Sequence, residues 1–157
     1  MSWERWSLSR QSLVLIESLS IAQQTAVQIL RLWQSGGMGR SQVYALFQQH
    51  LGNERARVAL RALERGMDLI DQDCSRKLNL QEPGSDLVTP DERLIAELVD
   101  QTLCPDLEEA LLSAMQLVRG DLAPTLLAHF TQLSLHLRCV GLRAGQPFAR
   151  TGPKRLH

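Results

Sequence analysis

Apolar positions recur along most of this chain at the three- and four-residue step of a helix, and the breaks between such runs carry glycine or proline. Between Ser9 and Ser35 there is neither, and Leu15, Leu19, Ala22, Ala26, Ile29 and Trp33 keep the step, so the spacing predicts one amphipathic helix over the whole stretch. Leu13, Ile16, Val27, Leu30 and Leu32 widen its apolar arc beyond a single stripe. A helix that is apolar on several sides must be covered on several sides, as the centre of a bundle or as part of a subunit interface. The expectation from this pattern is a homodimer, with Leu15, Leu19, Ile29 and Trp33 at or beside its interface.

The run "SGGMG" makes the helical state costly and should separate this helix from the next, which Ser41 can cap and Gly52 can end. Asn53 then opens a helix to about Arg76, with Ala56, Ala59, Leu60, Leu63, Met67 and Ile70 on one stripe. The polar stretch "NLQEPGSDLVTPDE" reads as the long internal loop. Thr89, followed by Pro90, Asp91 and Glu92, has the cap, the proline and the carboxylates that favour a helix start. That helix should run to about Cys104, and another from Pro105 to Val118, with Leu107, Leu111, Leu112, Met115 and Val118 facing inward. A last helix from about Leu122 to Leu142 shows Leu126, Phe130, Leu133, Leu137 and Val140 as its core stripe.

The pattern therefore predicts an all-α fold, a compact bundle of about six helices in a single domain over residues 1–143, with 144–157 as a basic, flexible tail. Composition agrees, since aromatics are only 4% and β-branched residues are sparse. A chain of 157 residues buries roughly two-thirds of its unfolded surface and needs no metal or disulfide to fold. The cysteines Cys74, Cys104 and Cys139 are odd in number and lack C-x-x-C spacing, which points to a reducing, cytoplasmic compartment. No apolar run is long enough for a signal segment or a membrane span.

Net charge is zero, but it is unevenly laid out. Residues 1–80 carry ten Lys/Arg against seven Asp/Glu, residues 81–137 two against ten, and residues 138–157 five against none. Such opposed segments suit contacts within the protein or between its copies as readily as contacts with nucleic acid.

Three groups of residues could carry chemistry. Arg57, Arg61 and Arg65 fall on one helix face, with Arg40 and Arg55 nearby in sequence, as in a helix-turn-helix that enters a DNA groove. Against that reading, Glu54, Glu64 and Asp68 interleave with the stripe and are expected to neutralise it through i,i+3 and i,i+4 pairs. His129, Gln132, His136 and Cys139 share a strip of the last helix and are weak metal candidates, because the two histidines lie about 10 Å apart along the axis. Trp3 and Trp6, at i,i+3, can anchor a partner or fold back as a lid.

No phosphate-binding loop, G-x-S-x-G elbow or cysteine–histidine pair is present in the sequence. The favoured reading is a non-enzymatic interaction or regulatory protein that binds itself and another protein, with no cofactor and no membrane. The alternative is a DNA-binding transcription regulator, and the third a helical enzyme or small-ligand binder.

Overall fold

The structure, a computed structural model, describes residues 13–73, 78–102 and 107–144. Trp3, Trp6, Cys74, Cys104 and the basic tail from 145 onward lie outside the described residues. Among the described residues six α-helices form an all-α bundle: α1 (Ile21–Gln34), α2 (Gly37–Leu51), α3 (Asn53–Asp73), α4 (Pro90–Gln101), α5 (Leu107–Ala114) and α6 (Ala123–Ala144). A strand pair, β1 (Val14–Leu15) and β2 (Leu87–Val88), accompanies them, antiparallel with Val14 opposite Val88 and Leu15 opposite Leu87.

Helix α6 packs against each of the other five helices, and α1 against α2, α4 and α6. All eight residues from Gln24 to Arg31 are buried, which makes α1 the centre of the bundle. The first helix is thus enclosed by its own chain, and Ile29 and Trp33 are core residues with no surface to offer a second subunit. Leu19 is half-buried against a small satellite core of Ile16, Val27, Val88 and Ala96, and of the four described interface candidates only Leu15 is exposed.

Helix α1 also starts later than the spacing predicts, at Ile21. The Ser20 hydroxyl accepts from the Gln23 amide N–H while the Gln23 side chain accepts from the Ser20 N–H, a capping box that fixes the start and leaves 14–18 to a strand and a 3₁₀ turn. At the next corner only Gly36 breaks the helix, with φ at +121°. Helix α2 begins at once rather than at Ser41, and Gly39 comes so close to the Leu32 carbonyl and the Ser35 hydroxyl that a Cβ would overlap both.

Helix α3 holds Ala56, Ala59, Leu63, Met67 and Ile70 in the core, and Leu60 half-buried beside them. Helix α5 corrects the expected face. Ala110, Ser113 and Ala114 point inward, while Leu107 and Leu112 are each 61% exposed and Met115 is 51% exposed. The helix stops at Ala114, and its small residues let it lie close on α4 and α6. Of the expected stripe, Leu111 is half-buried against the core and Val118 is buried, while the arc of Leu107, Leu112 and Met115 faces solvent.

One polar cluster holds these parts in register. The Arg31 and Glu92 side chains are 0% exposed, and Arg31 Nε donates to Glu92 Oε2 at 2.7 Å. Arg31 Nη2 donates to Glu92 Oε1 at 3.0 Å and to the Leu87 carbonyl at 2.7 Å, and Nη1 to the Ser85 carbonyl at 2.9 Å. Glu92 closes the α4 capping box with Thr89 and also accepts the Gln81 N–H. Four of the five Arg31 N–H donors and both Glu92 carboxylate oxygens are engaged, which is what makes their burial tolerable.

Two predictions follow from this packing. Glu92→Ala strands the Arg31 guanidinium and should lower the unfolding free energy by about 3–5 kcal/mol. Glu97→Ala, whose pair with Arg93 is 43% and 44% exposed, should cost at most about 1 kcal/mol; equal urea midpoints for the two variants would contradict the role given to the buried pair. Gly66→Ala should destabilise by about 1–3 kcal/mol, although glycine to alanine in an open helix gains about 1 kcal/mol. The added Cβ would sit 2.5 Å from Phe130 Cε1 in the α3–α6 contact; a raised thermal midpoint would show that the ring gives way.

Candidate functional site: an arginine-lined groove

The core stripe of α3 turns Arg57, Arg61 and Arg65 outward, and all three are exposed. Successive members lie four residues apart, so the guanidinium row runs along about 12 Å of helix. Gly66 brings α6 in close at Phe130, and His129 and Gln132 on the outer side of α6 face the arginines across the seam. The result is a half-open groove of about 450 Å³. Arg57, Arg61 and Arg65 line it with His129 and Gln132, Val58 and Ala62 supply apolar lining, and Glu54 adds a carboxylate.

Two strips that the sequence presents separately, the arginines of α3 and the histidine strip of α6, thus meet at one place. Among the described residues, no ion pair joins Arg57, Arg61 or Arg65 to Glu54, Glu64 or Asp68. The expected neutralisation is absent, and the spacing explains it. Every i,i+4 step within this set joins like charges: Arg57 to Arg61, Arg61 to Arg65, and Glu64 to Asp68. Arginine precedes acid in the i,i+3 steps from Arg61 to Glu64 and from Arg65 to Asp68, the weaker order for such pairs, and only the step from Glu54 to Arg57 has the acid first.

The remaining candidates disperse. Arg40 stacks over the Trp33 ring, 4.4 Å from its centroid, and its Nε donates to the Trp33 carbonyl. It sits near Asp71, beyond the far end of the α3 arginine row, so it does not extend the row. Arg55 lies near His136, two turns along α6 from His129. Cys139 is half-buried and packs on the core. Among the described residues no group of His, Cys, Asp and Glu converges in a way that would hold a metal ion, and no helix is long and apolar enough to cross a membrane.

Burial lowers the pKa of His129, and the neighbouring Arg65 lowers it further. His136 is lowered in the same way by burial and by Arg55, and its Nδ1 is buried without a hydrogen-bond partner. A neutral imidazole suits the groove, because it offers one donor and one acceptor without adding to the repulsion among the arginines.

No protein-family model matches this chain, and no curated protein or solved structure matches it either.

The histidines give a prediction with a definite sign. Their folded pKa values lie below the unfolded value of about 6.5, so the unfolded chain takes up the protons first as pH falls. The stability contributed by neutral histidine is complete above that value and is lost as pH falls below it. Urea midpoints should drop between about pH 7.5 and pH 5.5, and drop less in His129→Gln/His136→Gln. An unchanged pH slope in that variant would remove the histidines as the cause.

Proposed function

We propose that this protein is a non-enzymatic binding module whose α3–α6 groove takes an anionic segment of a macromolecular partner. The observation that carries the reading is the row of three unpaired arginines along the groove wall. Three guanidiniums held about 6 Å apart by one rigid helix present a pre-set series of forked donors. The Val58 and Ala62 lining adds an apolar contact that a free inorganic anion would leave uncovered. The proposal places the protein in a reducing cytoplasm, because its three cysteines lack a pairing pattern. It keeps self-association, at a surface other than the first helix.

A second reading, contact with duplex DNA, draws on the same arginines. One feature weighs against it as the main activity: α3 offers few amide side chains between its arginines for reading base edges.

The test uses two probes, fluorescein-labelled poly-glutamate and a labelled random duplex. Poly-glutamate should bind the wild-type chain with micromolar affinity at low salt, weaken as salt rises, and lose at least about tenfold in the triple variant Arg57→Ala/Arg61→Ala/Arg65→Ala. The duplex should bind no tighter than roughly 10⁻⁴–10⁻⁶ M at physiological salt. Poly-glutamate binding untouched by the triple variant would discard the groove reading, and a sequence-selective duplex complex tighter than about 10⁻⁸ M would install the DNA reading in its place.

A further inference from the structure

We propose that the groove receives helix α5 of a second copy of this chain; this rests on the groove reading above and names its partner. Helix α5 is built the reverse of an ordinary surface helix, with small residues against the bundle and Leu107, Leu112 and Met115 in solvent. Glu108 lies on the same outward arc and is exposed. The arc therefore presents one carboxylate ringed by large apolar side chains.

The groove offers the complement. Its arginines lack acidic partners, and beside them lie Ala62 and Val58, the latter 40% exposed. The lengths agree as well. Helix α5 (Leu107–Ala114) and the stretch from Arg57 to Arg65 are both about 12 Å long. Local charge points the same way, since α5 carries Glu108 and Glu109 and no Lys or Arg, whereas the groove wall carries three arginines against Glu54. Opposite charges on the two surfaces steer copies together in this orientation.

Nucleic acid fits less well. No Phe, Tyr or Trp lines the groove to stack a base, and a phosphate backbone would leave both Val58 and the α5 leucines uncovered. A second copy covers both at once. The contact is heterologous, groove on one copy and helix on the other, so it closes as a dimer when the two copies exchange helices about a twofold axis and otherwise builds a ring or chain.

Charge reversal tests this on the full chain by light scattering at about 100 μM, where a small interface of micromolar affinity is populated. The wild-type mass should exceed that of one chain and fall with added salt. R61E and E108R, both at exposed positions, should each weaken association by about tenfold or more, and an equimolar mixture of the two should recover it, because the reversed charges meet. Leu112→Asp should also dissociate the assembly, with circular dichroism showing each variant folded. A wild-type chain that stays single, or a mixture no better than either variant alone, overturns the proposal. If the chain stays single while poly-glutamate still binds through the three arginines, the groove reading stands and only the occupant is wrong; loss of both removes both, and an Arg61-dependent duplex complex of a single chain reassigns the groove to nucleic acid.

Discussion

The buried pair of Arg31 and Glu92 is the constraint on which the arrangement of this fold depends. A buried guanidinium in the last turn of the central helix would be ruinous alone, and a carboxylate in the same interior would be no better. Glu92 is in place only if α4 starts at its Thr89 cap, and the carbonyls of Ser85 and Leu87 reach Arg31 only if the preceding loop folds back over α1. The same loop then offers Leu87 and Val88 to β1. Helix α1, the loop and the start of α4 are conditions for one another. Shifting α1 by a single turn would strand both charges, so the pair fixes a register that apolar contacts, which are non-directional, leave loose.

This cluster also accounts for the character of the long connection between α3 and α4. Its composition is that of a loop, yet its described part is fastened at several points: the Asn79 N–H donates to Asp91, the Asn79 carbonyl accepts from the Thr89 hydroxyl, and the Gln81 N–H donates to Glu92. The carboxylates at the start of α4 act on more than the helix dipole, because they bind backbone that lies outside the helix.

Helix periodicity made the bundle legible, including the inward stripes of α3 and α6 and the Thr89–Pro90 start of α4. It failed where two answers satisfied the same pattern. Helix α1 carries apolar residues on several sides, which suits a bundle centre and an interface alike; the deciding residue was Arg31, the one charge of the helix, whose partner lies 61 positions away in sequence. In α5 the bulky arc and the small arc are both apolar, and periodicity cannot say that close packing selects the alanines. The Ser20 to Gln23 capping box was present in the sequence and would have corrected the start of α1. Of the candidate site, each wall was readable on its own helix, but the meeting of Arg57, Arg61 and Arg65 with His129 and Gln132 depends on the α3–α6 crossing at Gly66 and Phe130, which no local pattern contains.

The charge order on α3 runs against the helix that carries it. Like charges at i,i+4 cost roughly 0.2–0.5 kcal/mol each, and the helix holds two such arginine steps and one acidic step. Exchanging a few of these positions would turn repulsion into pairing without touching the core stripe, so nothing in folding alone calls for the present order. The helix tolerates the cost because its inner face is anchored by Ala59, Leu63, Met67 and Ile70 in the main core. The binding proposed for the groove, rather than stability, would account for such an order. On that proposal, pairing the arginines within the chain would occupy the forks that a partner needs, whereas leaving them open keeps the attraction available to a carboxylate from elsewhere.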